Sequence, residues 1–359
     1  MDKNILIIKL GAIGDILMAT PSFKAIRNKY TDSKISLLIG KWSSQLIKNN
    51  PDIDEIIEID ENIFWDKKLL SLISLYLKLL KKKFDIVYIM HWSNLFNLFC
   101  YLLFIPERIG FDRDSKSMFL TKKICYVDEL ENKHIIKRYL DLVDDGLDIN
   151  NYPVKIYLTE KELESAKNIL QNYNLLQKNI IGVAPGGGIN PHRKVLSKRW
   201  PKEKYTELIN SIHEKLVCPV ILFGAESDIE TGDFITSNIK NRELLFNFIG
   251  KYDIRTVASL MTFCKILITN DSGLLHVAGA VNIPTLSIFG PTIPYDKIPL
   301  GETHKYIYKN LKCSPCYRHG KTVDCKTKEC LELISVGEVF EEVQKNICSQ
   351  SRSVRIDFT

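Results

Sequence analysis

The sequence predicts an α/β protein made of two doubly wound domains in succession. Three observations carry this. Short apolar runs alternate with helical stretches along nearly the whole chain. The alternation lapses after about residue 108 and restarts near residue 160. Each half opens on a buried strand that runs into glycines: Asn4–Lys9 into Gly11 and Gly14, Asn179–Ala184 into Gly186, Gly187 and Gly188. Strands covered on both faces read as continuous apolar runs, and helices between them impose a parallel order. A chain of 359 residues is too long for one ordinary core and suits two.

In the first half, Asn4–Lys9 is followed by a helix at Pro21–Lys29 and a strand at Lys34–Ile39. A helix at Trp42–Asn49, a short strand at Ile56–Ile59 and a helix at Leu69–Lys82 come next. Phe84–Met90 is a strand and Asn94–Phe104 a helix, after which Arg108–Phe111 opens an irregular, basic region. Past Pro153–Thr159, a Lys- and Glu-rich helix at Glu160–Tyr173 leads into the second half. There the expected helices are Lys202–Lys215, Ile229–Ile239, Ile254–Phe263 and Gly273–Val281. The strands between them are Asn179–Ala184, Pro219–Phe223, Phe246–Ile249, Lys265–Thr269 and Thr285–Phe289. Glu332–Ile347 reads as a closing helix and Ser349–Thr359 as a polar tail. The expected domains are 1–158 and 159–335, with 336–359 as a terminal helix and tail.

Composition narrows the function classes. The net charge is +6, which fits attraction to an anionic partner such as a diphosphate or a membrane surface, and equally an ordinary Lys-rich surface. Lys and Arg are dispersed and no nucleic-acid module appears, so no nucleic-acid partner is expected. The first apolar run is broken by Lys9 and glycines and is not a secretory signal. No apolar stretch reaches the roughly 20 residues of a membrane span. Leu69–Leu80 and Leu95–Ile105 come nearest. The first runs into Lys81, Lys82 and Lys83, so a crossover helix against the sheet and a helix lying on an anionic bilayer are both open. Nine cysteines without a disulfide framework fit a cytoplasmic protein.

Three motifs carry chemistry, each where a strand ends and a helix begins, the place at which parallel sheets gather ligands. The first is Lys9-Leu10-Gly11-Ala12-Ile13-Gly14-Asp15, where Asp15 can be a helix cap or a catalytic carboxylate. The second is Pro185-Gly186-Gly187-Gly188, followed by His192, Arg193, Lys194, Lys198 and Arg199 and then Trp200-Pro201. A glycine turn with nearby cations fits an anion such as a phosphate. The third is Asn270-Asp271-Ser272-Gly273-Leu274-Leu275-His276, which opens a helix whose free N–H groups suit a diphosphate. His276 lies one turn into that helix and reads as a ligand contact or a satisfied core histidine. Phe289-Gly290-Pro291-Thr292 forms another lip.

Together and in this order, "IKLGAIGDILMATP", "APGGG…KRWP" and "NDSGLLHVAGA…P…IFGPT" resemble glycosyltransferase family 9, the family of the lipopolysaccharide heptosyltransferases. The resemblance implies a GT-B fold, two Rossmann-like domains facing across a cleft, and an inverting, metal-independent sugar transfer. It implies Asp15 as the general base toward an acceptor hydroxyl, with Lys9 and Gly14 on the acceptor side. It implies Lys198 as the cation that neutralises the leaving diphosphate. Gly186 and Gly187 would contact phosphate or ribose, Glu226 the ribose hydroxyls and Tyr252 the nucleoside. Asp271, Ser272, Gly273 and His276 would hold the donor sugar and its diphosphate. The implied partners are a nucleotide diphosphate sugar, ADP-heptose foremost, and a lipopolysaccharide core or other glycolipid acceptor at the inner membrane face. A nucleotide-sugar epimerase and a non-catalytic nucleotide-sugar-binding protein are the alternatives.

Cys313, Cys316, Cys325 and Cys330 cluster near the end of the second half. Their spacing admits a structural zinc or an iron–sulfur site, and equally reduced thiols or a disulfide. Catalysis itself calls for no cofactor under the resemblance. Tyr317, Arg318 and His319 beside the cluster are placed to face an acceptor.

Overall fold

The computed structural model describes residues 2–66, 69–113, 117–126, 133–190, 193–317 and 325–353. Contacts divide the chain into two compact units, Met1–Tyr157 and Leu158–Thr359.

In the first unit β1 (Asn4–Ile8), β2 (Lys34–Gly40), β3 (Glu55–Ile59), β4 (Ile86–Ile89), β5 (Glu107–Arg113) and β6 (Lys122–Tyr126) form one sheet. Their order is β3-β2-β1-β4-β5-β6, and every pairing is parallel. The chain runs outward from β1 to β3, then crosses back to β4, so the strand order reverses between β1 and β4. The helices are α1 (Ile13–Lys29), α2 (Lys41–Ser44), α3 (Asn62–Trp65), α4 (Leu69–Leu80), α5 (Asn94–Leu102) and α6 (Ile135–Asp141). Ile5, Leu6, Ile7 and Ile8 of β1 are fully buried, as a central parallel strand requires.

Two of the departures from the sequence expectation have a clear local cause. The first helix starts at Ile13, not near Pro21, and carries Pro21 in its interior. Pro21 lacks the N–H that would bond the Leu17 carbonyl. The Thr20 hydroxyl donates to that carbonyl at 2.8 Å instead, so the helix runs through. The region after Arg108, expected to be irregular, forms strands β5 and β6. Its charges obscured the strand pattern because they serve backbone at the sheet edge. The Arg108 guanidinium donates to the carbonyls of Phe119 (2.6 Å), Pro106 (3.2 Å) and Ile105, closing the β5–β6 connection.

The second unit repeats the plan. Its strands are β7 (Ile180–Ala184), a small hairpin of β8 (Ile189–Asn190) and β9 (Arg193–Lys194), then β10 (Val220–Leu222), β11 (Leu245–Asn247), β12 (Cys264–Asn270), β13 (Thr285–Phe289) and β14 (His304–Tyr308). The main sheet is ordered β11-β10-β7-β12-β13-β14 and is parallel throughout, with its reversal between β7 and β12. The helices are α7 (Glu160–Asn172), α8 (Lys202–Lys215), α9 (Ile229–Asn238), α10 (Ile254–Met261), α11 (Gly273–Ala280), α12 (Glu329–Glu332) and α13 (Val336–Ser353). Strand β14 had no counterpart in the sequence reading, because it is an edge strand with Lys305 and Tyr306 exposed. Helix α13 packs Val339, Phe340 and Val343 into the same core as Trp200 and Tyr205, so it is part of this unit's packing.

Candidate active site

Both glycine motifs lie where the strand order of their sheet reverses, the position at which neighbouring loops part and leave a crevice. In the second unit the loop after β7 is held by two buried polar hubs. Asn270, at the end of β12, donates through its amide to the carbonyls of Pro185 (2.9 Å) and Gly186 (3.0 Å). Its oxygen accepts from the Trp200 N–H (2.9 Å) and the Tyr205 hydroxyl (3.0 Å). Asp228 is the second hub. Its carboxylate accepts from the Gly187 N–H at 3.2 Å and the Ala225 N–H at 3.1 Å, and pairs with the Arg199 guanidinium at 2.6 Å. Arg199 also donates to the Gly187 carbonyl at 2.8 Å.

This bonding explains the glycines. A Cβ on Gly186 would sit 2.2 Å from the Asp228 carboxyl carbon. Gly187 has φ +94°, and a Cβ there would lie 2.5 Å from that of Ser272. The glycine run thus lets the loop press against Asp228 on one side and the start of α11 on the other. The Gly187 N–H, one of the groups expected to face phosphate, is occupied by Asp228.

The third motif builds the other wall. Ser272 is the residue before α11, and Gly273 opens the helix. Asp271 is buried and accepts from Lys198 Nζ at 2.7 Å and the Thr292 hydroxyl at 2.8 Å. Burial alone would raise the Asp271 pKa, but the charges of Lys198 and Lys297 and these hydrogen bonds outweigh it and hold the carboxyl well below its usual range. Lys198 also lies 4.7 Å from the centre of the Tyr317 ring. The structure therefore brings Gly187, Lys198, Asp271, Ser272 and Gly273 together at one strand edge. His276 is buried within the first turns of α11.

Glu226 and Tyr252 stand at the same sheet edge, after β10 and β11. Glu226 is exposed, and its Cα neighbours Gly250, whose N–H donates to the Gly224 carbonyl at 3.1 Å. The Tyr252 ring packs on Phe248 with centroids 5.2 Å apart, and burial followed by the Tyr173 hydroxyl raises its phenol pKa.

In the first unit Asp15 is the third residue of α1, and its carboxylate accepts from the Ala12 N–H at 3.4 Å. That long bond leaves most of its acceptor capacity unused. Gly14 is buried in the same turn. Lys9 is 2% exposed, with its ammonium 5.0 Å from the centre of the Tyr139 ring. Burial lowers the Lys9 pKa, and the Asp15 charge partly restores it. His91, at the end of β4, accepts the Leu10 N–H on Nε2 at 2.7 Å. Burial, then the Lys9 charge, holds its pKa well below the usual value, so the ring is neutral and its proton sits on Nδ1. Glu61 is a further carboxylate under this loop: a Cβ on Gly40 would lie 2.0 Å from its Oε1.

Sequence reading named Asp15, Lys198 and Asp271 and quoted Asn270 and Thr292 within motifs without giving them a role; it missed His91 and Asp228, which bond the neighbouring loops, and Glu61. Only their positions just past strand ends could have drawn attention to them. Pro191, His192, Arg318 and His319 lie outside the described residues.

All nine cysteines are free thiols. Cys316, Cys325 and Cys330 line one small pocket with Ser197, Pro291, Tyr317 and Lys328. Burial and the neighbouring thiols push Cys330 up to about 11. Among the described residues no group of three or more His, Cys, Asp or Glu is arranged to hold a metal ion, so the zinc or iron–sulfur option for Cys313, Cys316, Cys325 and Cys330 gains no support.

The family model "Glycosyltransferase family 9 (heptosyltransferase)" matches residues 72–327. Lipooligosaccharide heptosyltransferase 2 of Haemophilus influenzae is 27% identical over 314 residues, covering 83% of this chain and 86% of its own. Among solved structures, the Escherichia coli ADP-heptose lipopolysaccharide heptosyltransferase II aligns with a TM-score of 0.77 at 23% identity, over 98% of this chain and 100% of its own. A family 9 glycosyltransferase from Veillonella parvula aligns with a TM-score of 0.81 at 22% identity, over 97% and 98%. These structural likenesses carry the fold, and with the two parallel six-stranded sheets they identify the GT-B class.

Proposed function

The chain belongs to glycosyltransferase family 9 and is a glycosyltransferase, and on that premise we propose that it moves heptose from ADP-heptose onto a lipopolysaccharide core acceptor. The transfer inverts the anomeric carbon and uses no metal ion. Asp15 takes the proton of the acceptor hydroxyl as that oxygen bonds to the anomeric carbon. The bond from that carbon to the diphosphate breaks, and its electron pair leaves with the diphosphate. Lys198 and the first N–H groups of α11 meet the growing negative charge, the role a metal ion fills elsewhere.

The observation that supports this most is the cluster of Lys198, Asp271 and Thr292 at the start of α11. Asp271 and Tyr317 hold the Lys198 ammonium in place before any donor arrives, and a preset charge costs no reorganisation when the leaving group departs. On the acceptor side, the Lys9 ammonium lies buried beside the Asp15 charge. Glu226 and Tyr252 serve the nucleoside end, Gly186 the phosphates, and Ser272, Gly273 and His276 the donor sugar. The enzyme works on the cytoplasmic side, where the lipid-linked acceptor is presented at the inner membrane face.

The test compares Asp15→Asn with the unaltered enzyme. We expect kcat to fall by about 10²- to 10⁴-fold, the usual contribution of a positioned base, while calorimetric ADP-heptose affinity changes less than about twofold. Unchanged turnover, or release of an epimerised donor in the absence of acceptor, overturns the reading.

A further inference from the structure

Helices α4 and α5 each turn one apolar face into the first unit's core and a second apolar face outward. Leu75 and Leu79 of α4 and Phe96, Phe99 and Cys100 of α5 pack with β1 and β4. On the outer side Leu69, Ile73 and Leu77 repeat every four residues along α4, and Leu95, Leu98 and Leu102 form the matching stripe on α5. The two stripes are adjacent. The Tyr76 hydroxyl of α4 donates to the Leu102 carbonyl of α5 at 3.0 Å, and its ring lies 6.4 Å from that of Phe99. The surface continues through Tyr101, whose ring is 5.2 Å from that of Phe119, to Phe104 and Met118, which are 77% and 79% exposed. Leu70, on the same outer side, is 84% exposed. Contiguous apolar surface of this kind marks an interaction site.

The rim identifies the partner. Neither helix contains an Asp or Glu. Lys78, Lys81 and Lys83 are exposed at the C-terminal end of α4, while Lys82 pairs with Glu55. The Arg108 guanidinium lies 5.4 Å from the centre of the Tyr101 ring at the far side. A leucine-rich face bordered by cations matches the acyl boundary and headgroups of an anionic bilayer. At 12 residues α4 is about 18 Å long, too short to span hydrocarbon, so it would lie along the surface.

We propose that this face docks the enzyme on an anionic lipid bilayer, with the leucines in the acyl boundary and the lysines among the headgroups. The proposal deepens the functional reading, whose acceptor is a lipid, but its test can fail separately. Full-length protein is floated with vesicles of phosphatidylcholine alone and of phosphatidylcholine mixed with phosphatidylglycerol. The unaltered protein should float with the mixed vesicles, and added salt should release it. A Leu70→Ser, Leu77→Ser, Phe104→Ser variant and a Lys81→Glu, Lys83→Glu variant should each lose about tenfold or more of that binding. All substituted side chains are exposed, and unchanged thermal unfolding would show the fold is kept. Both variants should still glycosylate a deacylated, water-soluble acceptor at the original rate while losing transfer to acceptor embedded in vesicles. Failure of the unaltered protein to float, or flotation undiminished in both variants, overturns the proposal. So does a dimer in sedimentation that the serine variant abolishes without any vesicle binding, because a second copy then covers the face. No transfer to the soluble acceptor by the unaltered protein would instead sink the functional reading and leave the docking result standing.

Discussion

At the scale of single residues, the site proposed in the second unit is built on a buried carboxylate kept charged by its neighbours. Asp271 stays ionised because Lys198 and Thr292 bond it at 2.7 and 2.8 Å. Removing one member of a buried pair leaves the other charge without compensation, which costs about 3–5 kcal/mol. Lys198→Met should therefore destabilise the second unit by that order in urea unfolding, besides abolishing turnover. The double variant with Asp271→Asn should recover most of the stability and none of the turnover. Recovery of both would show that the lysine serves packing alone. In the first unit's candidate site the shifted groups are instead bases: burial lowers Lys9 while the Asp15 charge supports it, and burial with the Lys9 charge lowers His91. Lys9 and Asp15 were visible in the sequence as part of a motif. His91 was not, because a lone histidine after a strand carries no signal until the fold sets its ring against the Leu10 N–H.

At the scale of elements, the glycine loop after β7 and the start of α11 are one packed unit rather than two loops that happen to meet. Gly187→Ala tests this. A side chain at φ +94° costs about 1 kcal/mol, and the new Cβ must displace Ser272, 2.5 Å away. The expected loss is about 2–3 kcal/mol in chemical unfolding together with weaker donor binding. Unchanged stability would mean that α11 can retreat from the loop. Helix α1 shows how local pattern misleads. Pro21 reads as a helix start, yet the Thr20 hydroxyl serves the carbonyl that Pro21 leaves open and the helix extends back to Ile13. The extension places Asp15 in the first turn.

At the scale of the whole molecule, acid should unfold the chain in two stages. Burial lowers His304 to about 4 from 6.5, so its stabilisation is complete above pH 6.5 and is lost as pH falls toward 4. His91 acts in the same direction. Glu162 is lowered to about 2 from 4.5, chiefly by the Arg255 guanidinium, at 2.8 Å from Nη2. Its stabilisation is complete above pH 4.5 and is lost as pH falls toward 2. Urea midpoints should fall first between pH 6.5 and 4, and His304→Gln should make that limb shallower, His91 carrying the remainder, without touching the later one. A limb of equal slope in the variant would assign the early loss elsewhere.

Sequence alone determined the strand–glycine–helix grammar, the two-sheet architecture and the motif residues Asp15, Lys198 and Asp271. These are written in short stretches of chain, where hydrophobic period and glycine placement act locally. Tertiary structure decided which residues meet. Lys198 and Asp271 are 73 positions apart, Trp200 and Asn270 are 70, and Arg199 and Asp228 are 29. The pairing of β7 with β12, across the reversal of strand order, brings the first two pairs to one edge, and the pairing of β7 with β10 brings the third. It likewise decided that the outward leucines of α4 join those of α5. A helix's own pattern reports that it has apolar faces, and the packed neighbours determine which face stays in water.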